Sequence, residues 1–219
     1  MTERAAQPSP DGVLSPADRE RLSAVLTVRQ GWGILGPGSI SDHIEHALRY
    51  TAHLPDQRFV GADLGSGAGL PGLVLALARP MSTWRLIDNR AKRGDALNLA
   101  TRELGLVDRV TVDRRDAQVV GQDEQIRSSC DVVVARSFGK PAVVAECAAG
   151  LLKPGGHLIV SEPPRSGDTD VGAGRWPSDA LVALGFAGSV ELPGGLAILT
   201  FIGPVDSGVP RRRLDPPRW

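Results

Sequence analysis

The chain is short of several things, and each shortage excludes a class of protein. It has only two cysteines, Cys130 and Cys147, too few for a disulfide framework, and no His/Cys spacing suggests a zinc site. Both read as buried thiols. No apolar run approaches the roughly 20 residues that a membrane span needs; the longest, such as Leu73–Ala78 or Val132–Ala135, are far shorter. The opening MTERAAQPSPDG lacks an apolar h-region, so no signal peptide is read and a cytoplasmic address is expected. Net charge is missing too: 25 Lys+Arg stand against 25 Asp+Glu. A nucleic-acid binder usually shows a basic excess, and this composition does not advertise one. Lysine occurs only at 92, 140 and 153, so the basic side chains are mostly arginine, a bias attributed to genome composition. No internal repeat is present.

What remains is the composition of a globular protein. The 219 residues, 42% hydrophobic and 23% charged, suffice for one domain of ordinary size. A monomer is expected. Residues 1–16, with three prolines, read as a disordered tail. Residues 17–57 read as a helical cap. Ser15-Pro16 with Asp18 is a helix start, Leu22, Val25 and Leu26 recur at helical spacing, and a second helix begins at Ser41 with Ile44, Ala47, Leu48 and Ala52 on one face. From residue 58 the texture becomes strand, turn, helix, repeated. Phe59–Leu64, Trp84–Asp88, Val110–Asp113, Cys130–Ala135 and His157–Ser161 read as strands, with helices over Leu70–Ala78, Arg90–Leu104 and Ala142–Leu152. Apolar strands separated by helices predict a parallel sheet covered on both faces, an α/β doubly wound, Rossmann-like domain over 58–202. Residues 163–178 read as an exposed loop. A short helix over Asp179–Leu184 and a closing hairpin of Val190–Leu192 with Leu196–Ile202 follow it. Residues 203–219, with four prolines and the cluster Arg211, Arg212, Arg213 and Arg218, read as a flexible basic tail.

The most informative segment is Asp63-Leu64-Gly65-Ser66-Gly67-Ala68-Gly69-Leu70-Pro71-Gly72. Alternate glycines directly after a strand let the backbone turn tightly and approach a ligand, with a helix N-terminus facing it. Read from Gly67, the segment also fits the dinucleotide fingerprint G-x-G-x-x-G, a weak match by itself. Asp63 decides between the readings. A carboxylate two residues before the first glycine sits poorly with a pyrophosphate and suits a cationic ligand, such as the amino group and sulfonium of S-adenosylmethionine. Asp88, at the end of the next strand, is placed to accept from both ribose hydroxyls.

With Asp88 and Lys92-Arg93 downstream, this segment resembles the bacterial 16S rRNA (guanine-N7) methyltransferase family called RsmG or GidB. Arg114-Arg115-Asp116 is similar to the family's turn after strand three that addresses adenine. Ala135-Arg136-Ser137-Phe138 is similar to its Ser-Arg-Ala-Phe after strand four, where the arginine lies at the cofactor. Ile34-Leu35-Gly36-Pro37 and His46-Ala47-Leu48 resemble its helical cap. The resemblance covers residues 33–162. It implies a class I methyltransferase fold, S-adenosylmethionine as cofactor, and 16S rRNA or the small ribosomal subunit as partner. It implies a cofactor site of Asp63, Gly65, Gly67, Gly69, Leu70, Asp88, Arg115, Asp116 and Arg136. Two departures concern the substrate side: Arg49 follows the cap helix, and Ser161-Glu162-Pro163-Pro164 ends the fifth strand with no lysine.

Methylation of guanine N7 needs no general base, since the nitrogen already offers a lone pair, and positioning can carry the reaction. No catalytic residue is therefore assigned. The chain has no Asn/Asp-Pro-Pro-Tyr after strand four and no Pro-Cys nucleophile after a strand. His43 and His46 are three apart on one helix, but no third ligand accompanies them, and no metal is expected. Arg136 sits where a ligand crevice opens, or else pairs with Asp63 or Asp116. An RNA substrate requires Arg49, Arg136, Lys140 and the tail to form one basic face. A small-molecule methyltransferase and a binding module without turnover remain open as rivals.

Overall fold

The computed structural model describes residues 13–163, 175–192 and 194–219. Most of the expected tail 1–16 and the middle of the expected loop 163–178 lie outside the described residues. Helix α1 (Pro16–Gly31) starts as read: Ser15 Oγ accepts from the Asp18 N–H at 3.0 Å, and Pro16 occupies the first turn, where an N–H is not needed. Helix α2 (Ile40–Leu48) starts slightly earlier than read. Ser39, with an acid three residues on, accepts from the Asp42 N–H at 3.0 Å. A 3-10 turn over Arg49–His53 follows.

Seven strands make one sheet in the order β3-β2-β1-β4-β5-β7-β6. They are β1 (Val60–Leu64), β2 (Thr83–Ile87), β3 (Val110–Asp113), β4 (Cys130–Ala135), β5 (Leu152–Ser161), β6 (Phe186–Leu192) and β7 (Leu196–Phe201). The first five are parallel, and β7 runs antiparallel between β5 and β6. The helices between them are α3 (Gly72–Ala78), α4 (Ala91–Glu103), α5 (Ala117–Gln122), α6 (Pro141–Leu151) and α7 (Ser178–Ala183). Helix α5 has no counterpart in the sequence reading, because six residues are too few to show a helical period. β6 is longer than read: a register shift lies between Phe186 and Ser189, and it breaks the alternation that would have revealed it.

The chain runs outward from β1 to β3 and then returns to lay β4 on the other side of β1. A crevice therefore opens between the carboxyl ends of β1 and β4. Register levels those ends: Leu64 pairs with Ile87 and with Ala135, Ile87 with Asp113, and Ala135 with Val160. Gly65, Asp88 and Arg136 thus leave the sheet along one edge, beside Ser161 at the end of β5.

Successive strand residues feed two cores. Trp84, Leu86, Val132, Val134 and Ile159 pack with the cap helices, α3 and α4. Ala62, Leu64, Val133, Ala135 and Leu158 pack with α5, α6 and α7 on the opposite face. Leu22, Leu26 and Ile44 of the cap are essentially inaccessible, each contributing about 1.5–3 kcal/mol of burial. Arg29, also buried, lies 2.7 Å from Glu103 and so ties α1 to α4.

The tail corrects the sequence reading. Residues 203–219, expected to be flexible, lie against the domain. Val209 and Pro210 are buried, and Arg211 Nε and Nη2 each donate to the Glu146 carboxylate at 2.8 Å. Arg218 Nε lies 3.1 Å from the same group. Glu146 stands on α6 with no exposure, so its charge requires cations, and among the described residues the tail brings them. Burial alone would raise its pKa, but the Arg211 bonds and the Arg218 charge outweigh that and hold it below the ordinary range.

Candidate functional site

After β1 the backbone takes φ of +66° at Gly65, +57° at Gly67 and +99° at Gly69, a region that side chains disfavour. The loop is held from both sides. The Ser66 N–H donates to the Ile87 carbonyl at 3.1 Å, and the Gly67 N–H donates to Asp88 Oδ2 at 3.0 Å. Beneath it, Asp63 is wholly buried. Its Oδ2 accepts from Ser66 Oγ at 2.6 Å and from the Gly72 N–H at 2.9 Å. A Cβ on Gly72 would stand 2.7 Å from that oxygen, so only glycine lets α3 come this close. Asp63 Oδ1 has no partner. Burial pushes the carboxyl up to about 7, against the Ser66 and Gly72 bonds and with the Asp88 charge adding to the rise.

A cavity of about 150 Å³ opens on the β1–β2–β3 side, bordered by Gly65, Asp88, Asn89, Arg93, Arg115 and Phe138 among others. Asp88 is nearly buried; Oδ1 accepts from the Arg90 N–H at 3.0 Å while Oδ2 holds the glycine loop. Arg115 reaches the cavity with its guanidinium already paired, 2.7 Å from Asp113 and 2.8 Å from Asp123. Asp116 is exposed, accepts from Asn89 Nδ2, and is not part of the lining. Gly69 and Leu70 are buried in the turn that starts α3. They shape the loop and do not border the cavity.

A second cavity of about 450 Å³ lies on the β4–β5 side. His46, Arg136, Ser137, Phe138, Ser161 and Glu162 are in its wall. Ser137 and Phe138 border both cavities. Ser137 holds φ at +54°, a strained conformation for a non-glycine residue. Phe138 lies on the glycine loop, since a Cβ at Gly65 would come within 2.6 Å of its ring.

Arg136 is in the cavity wall, and the alternative pairing with Asp63 or Asp116 is not formed. Nη2 is 2.9 Å from His43 Nδ1, and Nη1 is buried without a partner. His46 Nδ1 is likewise buried and unpartnered. Burial first, then the Arg136 and Arg49 charges, keep the His46 imidazole below its ordinary pKa. The single basic face also needs correction. Arg49 donates to the Gly194 carbonyl at 3.0 Å, and Arg211 and Arg218 are bound to Glu146, so half of the tail's arginines are committed elsewhere.

Tyr50 is a site residue that sequence reasoning missed. It is buried, and its hydroxyl donates to the Ala135 carbonyl at 3.0 Å, fixing the cap over the end of β4. The available signal was the chain's only tyrosine following the apolar face of α2. Among the described residues no group of three or more His, Cys, Asp or Glu side chains could hold a metal ion. Burial pushes the Cys130 and Cys147 thiols up to about 11 and about 12, as inert buried thiols.

Ribosomal RNA small subunit methyltransferase G of Prochlorococcus marinus (strain MIT 9303) is 42% identical over 98 residues, 45% of this chain and 40% of that protein. The same-named protein of Kineococcus radiotolerans is 37% identical over 148 residues, 65% of this chain and 56% of that one. The chain thus spans about half the length of the curated relatives it matches. Among solved structures, the antibiotic-resistance methyltransferase Kmr superposes with a TM-score of 0.52 at 18% identity, over 67% of this chain and 87% of that one. That likeness shows the α/β Rossmann-like methyltransferase fold. The family described as rRNA small subunit methyltransferase G matches residues 36–163, which hold the glycine loop, the smaller cavity, most of the larger one and the Arg136–Phe138 turn, and the chain belongs to that family.

Proposed function

We propose that this chain is an S-adenosylmethionine-dependent methyltransferase acting on N7 of a guanine in 16S rRNA. One observation carries the reading. Two cavities meet at Ser137–Phe138 beside the β1–β4 crevice, and one lies against a glycine loop over a buried carboxyl with a spare oxygen. The residues fit the cofactor. Asp63 Oδ1, buried and without a partner, favours a cationic ligand above it. Gly65 borders the smaller cavity, and Asp88 holds the loop while keeping acceptor capacity for ribose hydroxyls. When bound, S-adenosylmethionine supplies a methyl group on a cationic sulfur.

The larger cavity suits the acceptor base. Guanine N7 has a lone pair and no proton to lose, so the protein has to position the base and meet the positive charge that develops on it. Arg136 and His46 are in that cavity's wall, each with one buried polar atom that has no partner, and Phe138 borders both cavities. The partner is the small ribosomal subunit or its 16S rRNA, and the enzyme works as a cytoplasmic monomer. Nucleoside mass spectrometry of 16S rRNA from a strain lacking the gene tests this reading, the expected result being one missing 7-methylguanosine. Calorimetry of the purified protein should show binding of S-adenosylhomocysteine. An unchanged rRNA profile together with binding of NAD instead would overturn the reading.

A further inference from the structure

We infer that Glu162 selects guanine as the acceptor base, its carboxylate accepting from the base N1–H and 2-amino group. This rests on the methyltransferase reading above and adds the residue that tells one purine from another.

Glu162 follows β5 directly and borders the larger cavity. Its backbone N–H donates to the Gly195 carbonyl at 2.8 Å, which fixes its position against the β6–β7 turn. The side chain is held by two partners, one of which, Arg175, is in the same cavity wall. Trp176 Nε1 donates to Oε1 at 2.9 Å, and Arg175 Nε lies 2.6 Å from Oε2. A carboxylate offers about four acceptor positions, and these contacts occupy two. The group is therefore oriented, with acceptor capacity left for a ligand. The same cavity wall carries the buried Arg136 Nη1 and His46 Nδ1, neither with a partner.

Guanine presents the complement of that wall. Its N1–H and 2-amino group are adjacent donors that match a carboxylate, and O6 beside them is an acceptor that matches a guanidinium N–H. This pairing uses the Watson–Crick edge and O6, so it leaves N7 free to react. Adenine offers an N1 lone pair where guanine offers N1–H, and a carboxylate facing that lone pair repels it. The arrangement also assists the reaction. As positive charge spreads into the ring, N1–H becomes a stronger donor, and its bond to Glu162 strengthens in the transition state.

The test is a titration of GMP, IMP and AMP into the full chain saturated with S-adenosylhomocysteine, followed by NMR and calorimetry. IMP keeps N1–H and lacks the 2-amino group. The expected order is GMP about tenfold tighter than IMP, one charged hydrogen bond being at stake, with AMP weakest. Glu162→Gln should bring GMP down to the level of IMP while S-adenosylhomocysteine affinity and the far-UV spectrum stay the same. Glu162→Asp should retain the order with a smaller spread. An unchanged GMP-to-IMP ratio in Glu162→Gln overturns the inference, as does a wild type that binds AMP as well as GMP, or no nucleotide at all. Failure to bind S-adenosylhomocysteine would instead count against the methyltransferase reading, and the nucleotide series run without it still decides the role of Glu162.

Discussion

Arg136 and His43 bind each other across the boundary between the sheet and the cap, Nη2 to Nδ1 at 2.9 Å. A guanidinium can only donate, so Nδ1 accepts and the imidazole hydrogen sits on Nε2. That nitrogen faces the Gly36 carbonyl at 3.4 Å, and Gln30 Nε2 donates to the same carbonyl at 3.0 Å. The arginine at the end of β4 is therefore oriented from α1, α2 and the loop between them. This makes the cap part of the site.

Replacing Arg136 should separate its charge from its shape. Lysine keeps the charge but cannot reach His43 and the cavity at once, because it lacks the planar fork. Arg136→Lys should lower methyl-transfer turnover about tenfold or more, for the loss of a charged hydrogen bond, with little change in the salt dependence of RNA binding. Arg136→Ala should reduce both. His43→Ala should lower turnover less than either, since Nη1 stays and only its orientation loosens. Single-turnover rates and binding measured across a salt series check this; normal rates in Arg136→Ala would make the residue structural.

Asp63 should make cofactor binding depend on pH. Its folded pKa of about 7 lies above the ordinary carboxylate value, burial being the main cause. A cation placed at Oδ1 favours the ionised form, so binding near neutrality releases a proton, and affinity should rise as pH goes from about 6 to about 8. The same shift acts on stability with a definite sign. The neutral buried acid stabilises the ligand-free fold fully below the unfolded pKa, and that contribution is lost as pH rises through 7. Calorimetry of S-adenosylhomocysteine in buffers of different ionisation enthalpy measures the proton release, which Asp63→Asn should abolish.

Most of the sheet can be read from sequence because parallel strands buried on both faces are short apolar runs. Val110–Asp113 and Cys130–Ala135 match the observed strands end to end. The glycine loop is equally readable, since glycine adopts its backbone angles at least cost. What the sequence hides is tertiary. Tyr50 resembles an ordinary core residue until the fold brings it 3.0 Å from the Ala135 carbonyl, 85 residues away. The arginines of the tail look solvated because their partner, Glu146, is one acid in an otherwise apolar helix. Glu162 reads as a departure at a strand end, and only the folded chain puts it in a cavity wall with Arg136.

The docked tail should matter for stability. Arg211→Ala leaves Glu146 buried with only Arg218 nearby, and should cost about 1–3 kcal/mol, toward the low end because Arg211 itself is partly exposed. The effect has a pH signature. Glu146 is held below its ordinary pKa, so its contribution is present above the unfolded value and lost as pH falls through the folded one. Urea denaturation at pH 7 should therefore separate wild type from Arg211→Ala, and the gap should narrow toward pH 4. Glu146→Gln in the Arg211→Ala background should recover part of the loss. An equal gap at both pH values would mean that the tail contributes packing alone.

Asp88 gives the sharpest distinction between holding the loop and holding a ligand. Its two oxygens accept from the Gly67 and Arg90 N–H groups at 3.0 Å each, and Arg93 lies 3.5 Å away. Asp88→Ala removes all three contacts along with any ribose acceptor, and should weaken S-adenosylhomocysteine by about 1–3 kcal/mol. Asp88→Asn keeps one carbonyl oxygen, which can still accept from Gly67 or Arg90, and should cost less. The two roles part in the analogue series. If Asp88 accepts from the ribose, 2′-deoxy S-adenosylhomocysteine should bind wild type more weakly than the parent compound and bind Asp88→Ala no worse than the parent does. If Asp88 only braces the loop, the deoxy penalty is the same in both proteins. Calorimetric affinities for the four combinations form a double-mutant cycle, and a coupling near zero would remove Asp88 from the set of ligand contacts.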